Sequence, residues 1–160
     1  MKYLDYAVTF SEFPDEIALC INISNCPFHC PGCHSPELWE DVGEELNEDS
    51  LSELIKRNPG ISCVGFMGGE PGAVNDLAKF ITDHWMLKIG WYTGYSVIPE
   101  DINLNNFDYI KIGPYIESKG PLSNPNTNQR MYKYIVLVDS DLKVKESWKD
   151  ITYKFWKHGE

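Results

Sequence analysis

Two arginines, Arg57 and Arg130, are all that this 160-residue chain contains. Lysine brings the cations only to 14, against 24 acidic residues, for a formal charge of −10. No basic tract stands out. That excludes a phosphate backbone as the main partner, because nucleic-acid affinity rests on cations that neutralise phosphates. No apolar run approaches the ~20 residues that span a bilayer. The opening MKYLDYAVTF lacks the charged, apolar and small-residue order of a secretory leader, so a cytoplasmic protein without a membrane partner is expected. Internal repeats and linkers are missing too. With 42% hydrophobic and 24% charged residues, one soluble domain over residues 1–160 is expected.

Cysteine is present, but in an odd number. Five cysteines without an export signal are expected to be reduced, and clustered thiols in that setting bind metal or do catalysis. Cys20 and Cys63 lie inside the apolar runs LCINI and CVGFM and read as small buried hydrophobes. The other three crowd into NCPFHCPGCHSPELW as Cys26, Cys30 and Cys33. Pro27 and Pro31 stiffen this stretch and Gly32 permits a tight turn. Intervals of three and then two residues let three thiolates converge on one metal centre. A structural zinc would need a fourth ligand, which His29 or His34 could supply, yet no second ligand pair appears later in the chain. A four-iron, four-sulfur cluster normally takes four cysteines; with three, one iron stays open to an external ligand.

Around this loop the chain alternates. Strands are expected at Tyr3–Phe10, Ile17–Ser24, Ile61–Met67, Ile89–Thr93, Tyr109–Ile112 and Tyr132–Val138. One helix starts at Asn47 and ends at Asn58-Pro59-Gly60; another carries Leu77, Phe80, Ile81 and Trp85 on one face. A short helical piece is expected near Pro99, and the tail Asp150–Lys157 reads as an extended edge strand. Strands alternating with helices imply an α/β fold with a parallel sheet. A full eight-fold barrel needs ~250 residues, so the expected fold is a partial, open barrel of about five parallel strands with an N-terminal strand added. In such folds chemistry gathers after the C-terminal ends of strands. The cysteine loop and Gly68-Gly69-Glu70-Pro71 both fall there.

Cys26-x3-Cys30-x2-Cys33 resembles the cluster motif of the radical S-adenosylmethionine enzymes, and GGEP at 68–71 resembles their second motif. CHSPELW at 33–39, WYTGY at 91–95, IGPY at 112–115 and NQR at 128–130 further resemble the activating proteins of anaerobic (class III) ribonucleotide reductases. The resemblance implies that Cys26, Cys30 and Cys33 ligate three irons, while the amino and carboxylate groups of S-adenosylmethionine chelate the fourth. It implies that Gly68 and Gly69 let backbone approach the methionine moiety and that Glu70 stands near its ammonium. Trp91, Tyr92 and Tyr95 either line an adenosine pocket or pack in the core.

Two positions depart from the family pattern. Gly32 stands where an aromatic often touches adenine, and His34 is the candidate substitute. Lys111 stands where related activases often carry an acidic residue. The resemblance assigns Asn128, Gln129 and Arg130 no role that spacing explains. The implied activity is reductive: a flavodoxin-like donor reduces the cluster, S-adenosylmethionine is split, and the resulting radical takes hydrogen from a glycine of the reductase. Activation of another glycyl-radical enzyme is the near alternative. An iron–sulfur electron carrier or a zinc-stabilised binding module without catalysis is the alternative from a different class.

Overall fold

The structure, a computed structural model, describes residues 1–156. Its strands are β1 (Lys2–Thr9), β2 (Ala18–Ile23), β3 (Glu44–Glu45), β4 (Cys63–Met67), β5 (Lys88–Tyr92), β6 (Tyr109–Ile112), β7 (Arg130–Val138) and β8 (Val144–Asp150). They form one sheet in the order β3-β1-β2-β4-β5-β6-β7-β8. Two α-helices, α1 (Glu48–Arg57) and α2 (Pro71–His84), complete the mixed α/β architecture. None of the described helices is long and apolar enough to cross a membrane.

Local chemistry explains the helices. Asn47 accepts from the Ser50 backbone N–H at 3.0 Å and the Ser50 hydroxyl accepts from the Asn47 N–H at 2.9 Å, a reciprocal cap on α1. Glu48 and Asp49 in its first turn and Lys56 and Arg57 in its last complement the helix dipole. Leu51, Leu54 and Ile55 turn inward.

Four strands are parallel: β2, β4, β5 and β6. The added strand β1 runs antiparallel to β2, as expected. The expected fifth parallel strand, β7, instead pairs antiparallel with β6. The reason lies in the connection. Residues 113–129 are rich in proline, glycine and asparagine and form turns rather than a crossover, so the chain returns beside β6 in the opposite sense. The tail also differs: β8 occupies Val144–Asp150, and a 3-10 helix covers Thr152–Phe155 where an edge strand was expected. Lys157, the last residue of that expected strand, lies outside the described residues. Near Pro99 the chain makes only a three-residue 3-10 helix at Leu104–Asn106.

The parallel strands alternate between two faces. Leu19, Ile21, Ile23, Val64, Phe66, Ile89, Trp91 and Ile110 pack with α1 and α2. The opposite face carries rows set by the register, of which two lie beyond Ala18–Cys63–Lys88 toward the strands' C-terminal ends. One is Cys20–Gly65–Gly90–Tyr109, and the next, nearer the strands' C-terminal ends, is Asn22–Met67–Tyr92–Lys111–Met131. Phe13 fills the hollow over the first of these two and is fully buried. A Cβ on Gly65 would come within 2.4 Å of its ring, and one on Gly90 within 2.1 Å. The glycines make the room that the aromatic ring occupies.

Below that ring sits Glu16, which is 6% exposed. Its carboxylate accepts from Ser62 at 2.6 Å, Lys88 at 2.7 Å and Tyr109 at 3.1 Å, tying together the approaches to β4, β5 and β6. Burial alone would raise its pKa; the donors from Lys88, Ser62 and Tyr109 together outweigh it, and the net shift is downward. A lowered folded-state pKa stabilises the fold above the unfolded value of about 4.3 and loses that contribution as pH falls through the folded value. Glu16→Gln is therefore expected to cost about 2 kcal/mol at neutral pH, with Lys88 half exposed and so less strongly coupled. Denaturant midpoints across pH should show the gap between the two proteins narrow below about pH 4.

Candidate metal centre

Backbone hydrogen bonds close the loop after β2. The Asn25 and Cys26 N–H groups donate to the carbonyls of Glu40 and Leu38, each at 2.9 Å, so residues 26–38 form one excursion from the sheet end. The Ser24 hydroxyl adds a bond to the Val42 carbonyl at 2.6 Å. Within the loop the Cys33 N–H donates to the Cys30 carbonyl at 3.0 Å, across Pro31 and Gly32. Gly32 takes φ +76°, which the turn requires at that place. A Cβ there would also press on Glu117 and Tyr115 at 3.3 and 3.4 Å.

Cys26, Cys30 and Cys33 are all free thiols and half-buried. The Ser35 N–H donates to the Cys33 sulfur at 3.4 Å. Phe28 anchors the loop to the end of β5. Its ring meets Tyr95 edge-on at 4.9 Å and lies over Gly94, where a Cβ would approach to 2.6 Å. Sequence reasoning missed Phe28, although its place between two cysteines opposite a later TGY segment was visible.

Two expected rivals for the metal are turned elsewhere. His29 stacks on Trp39 at 5.0 Å with an interplanar angle of 16°, and exposed His34 tilts against Tyr115 at 5.5 Å. Among the described residues, no three of His, Cys, Asp and Glu stand where they would share a single ion. A cubane asks for something different, since each thiolate binds its own iron and the sulfurs need no common point.

Beneath the loop lies Lys111, only 8% exposed. Its ammonium donates to the Gly113 carbonyl at 3.0 Å and the Thr93 carbonyl at 3.5 Å, and sits 5.7 Å from the Tyr92 ring centre. Burial pulls its pKa down to about 8, while the sulfurs of Cys30, Cys26 and Cys33 all act to raise it. Cys33 and this buried cation line one cleft, and an anionic cluster is the group this donor set and this ammonium fit. Cys20 and Cys63 behave otherwise. Burial pushes the Cys20 thiol up to about 11 and the Cys63 thiol higher still, leaving both as neutral packing groups.

Gly68 and Gly69 both adopt φ +104°, so the backbone makes a turn that side chains resist. The Trp91 indole donates to the Gly68 carbonyl at 2.9 Å from the fully buried core, so Trp91 supports this turn from the helix side of the sheet. Glu70, expected beside the cosubstrate's ammonium, caps α2. Its two oxygens accept from the Gly72 and Ala73 N–H groups at 3.0 and 2.8 Å. The NQR segment is a brace. Asn128 donates to Pro114 at 2.9 Å and Gln129 to Gly113 at 3.5 Å, while Arg130 donates to the carbonyls of Thr127 and Gln129, each at 2.9 Å. The Asn128 Oδ1 atom is buried without a partner.

A cleft of about 860 Å³ opens beside the cysteine loop. Cys33, His34, Tyr92, Lys111, Tyr115 and Gln129 are among its walls. The structure does not bring Gly68, Gly69 and Glu70 into this cleft; they lie on the neighbouring strand end.

A family model described as a 4Fe-4S single cluster domain matches residues 17–132. The chain belongs to this family. The matched span holds Cys26, Cys30 and Cys33, the turn at 68–70 and Lys111. Among curated proteins, the chain is similar to a PqqA peptide cyclase of Bradyrhizobium diazoefficiens, 34% identical over 90 residues, covering 53% of this chain and 23% of that relative. It is also similar to a PqqA peptide cyclase of Rhodopseudomonas palustris, 39% identical over 72 residues, covering 42% of this chain and 18% of that one. The match thus spans less than a quarter of either relative's length. No solved structure matches the chain. These likenesses support the radical S-adenosylmethionine superfamily, with a 4Fe-4S cluster and S-adenosylmethionine as cofactors.

Proposed function

We propose that the chain is the activating enzyme of an anaerobic ribonucleotide reductase, working on a glycine of that partner. The observation that carries this reading is where the distinguishing segments lie. Tyr95 of WYTGY packs under Phe28, and Tyr115 of IGPY and Gln129 of NQR wall the cleft beside Cys33. Segments far apart in the chain are therefore neighbours of the cysteine loop, at Phe28 and at Cys33. On this reading β2, β4, β5 and β6 are the parallel part of a partial, open barrel, with β7 closing its flank.

Cys26, Cys30 and Cys33 would hold the cluster, leaving one iron for S-adenosylmethionine. When bound, such a cluster would supply the one-electron reduction that cleaves S-adenosylmethionine, the chemistry needed to remove hydrogen from the partner's glycine. The chain's own residues orient and enclose. Gly68 and Gly69, at the neighbouring strand end outside the cleft, would present backbone to the methionine moiety and Glu70 its remaining lone pairs, while His34, on the cleft wall, would stand in for the missing aromatic at Gly32. The cleft lies in the size range of small-molecule sites, ~300–1,000 Å³, and is open, so a polypeptide from the partner would complete its wall. A flavodoxin-like protein is the proposed donor.

The curated relatives favour a second reading, in which the polypeptide in the cleft is a peptide to be modified rather than a glycyl-radical enzyme. One experiment separates them. Reconstituted protein, a reductant, S-adenosylmethionine and the anaerobic reductase are incubated without oxygen and read by electron paramagnetic resonance. A glycyl doublet on the reductase is expected. Cosubstrate cleavage without that doublet would sink the reductase reading and leave the peptide one.

A further inference from the structure

We propose that Lys111 is the fixed positive charge that sets the reduction potential of the cluster, an inference that rests on the three-cysteine site above. Three observations point the same way. The side chain belongs to the sheet row Asn22–Met67–Tyr92–Lys111–Met131, in which it is the one charged group. That row is the layer nearest the strands' C-terminal ends, and Lys111 shares the cleft wall with Cys33. Its ammonium is more than nine-tenths buried, yet its protein partners are two carbonyls, and among the described residues no carboxylate pairs with it.

A buried ammonium without a counter-charge is costly, and a fold keeps one when an anion offsets it. Glu16 shows that this fold pairs a lysine with a carboxylate where only structure is at stake, through its 2.7 Å bond to Lys88. Among the described residues Lys111 has no such partner, and the thiol that shares its cleft wall is that of Cys33. Three thiolates outnumber the positive charge of an oxidised cubane core, so the loaded site is anionic, and it gains one further negative charge on reduction. A cation held beneath it favours the reduced state more than the oxidised one. Lys111 is accordingly a positioning and tuning residue.

The tether to Gly113 and Thr93 supports a purely structural role as well, and the test is built to separate the two. Lys111→Met, Lys111→Gln and Lys111→Arg are loaded with iron and sulfide anaerobically, and the cluster is titrated potentiometrically without cosubstrate. Through an effective dielectric of about 20, a unit charge shifts such an equilibrium about tenfold from ~12 Å and by more when nearer, so about tenfold is the smallest shift expected. For a one-electron couple that is about 59 mV. Methionine and glutamine variants are expected to be harder to reduce by at least that shift, and the arginine variant to match the wild type. Should methionine fail to load while arginine loads fully, the charge requirement stands. Equal potentials in all four proteins would overturn the proposal, as would an arginine variant that shifts or fails to load along with the neutral ones. A wild type that holds no cluster would instead overturn the three-cysteine site, and the proposal with it.

Discussion

Serine at Cys26, Cys30 or Cys33, one at a time, is expected to take the reconstituted protein from a fully loaded cluster to a small fraction of one. Cleavage of S-adenosylmethionine should fall to assay background in each. With three thiolates for four irons there is no spare ligand, and a hydroxyl is a poor donor to iron beside sulfide. Alanine at Cys20 or Cys63 should leave iron and sulfide content unchanged. Cys20 is half of a 3.5 Å contact with the Thr9 hydroxyl, and Cys63 is fully enclosed on the same face of the sheet. If all five substitutions lowered cluster content alike, the loop would not be the metal site. Iron and sulfide analysis with the visible absorption of the cluster reads all five.

Alanine at Gly90 should be among the most damaging single methyls in the sheet. Its Cβ would fall 2.1 Å from the Phe13 ring, which is fully buried and pinned by Tyr92 at 5.3 Å and Tyr109 at 5.5 Å. Overpacking of this kind costs about 3 kcal/mol or more when the neighbour cannot move. Phe13→Ala alone should cost a comparable ~3–5 kcal/mol by leaving a cavity. Combining the two is expected to be far less damaging than their sum, because the methyl then enters vacated space. Chemical denaturation of the four proteins gives the coupling directly. Additive losses would mean that the two residues do not compete for the same volume.

Much of the site was legible because its chemistry is local in sequence. Cys26, Cys30 and Cys33 sit within eight residues, and the two glycines at 68 and 69 follow an apolar run directly, so residue order alone puts both segments at strand ends. The capped start of α1 was equally local. What escaped depends on pairing over distance. Nothing in YKYIVLV distinguishes a parallel from an antiparallel strand; the missing crossover between β6 and β7 decides it. β8 reads VKESWKD, a charged run with little alternation, because it is an outer strand whose side chains are mostly exposed. The two faces of β4 and β5 were hidden for the opposite reason, since strands covered on both sides are apolar throughout. Glu70 reads from sequence as a ligand to an ammonium, and its capping of α2 is visible only once that helix is seen to begin at Pro71. Lys111 stood out as a departure from pattern, but only the sheet register places it in the layer beneath the cysteine loop.

The most direct test loads the protein with cluster, reduces it anaerobically in the presence of S-adenosylmethionine, and quantifies methionine and 5′-deoxyadenosine. An iron corner left without a protein donor predicts that both products form together, at a rate that follows the amount of cluster loaded. Intact cosubstrate over a fully loaded, fully reduced cluster would contradict it.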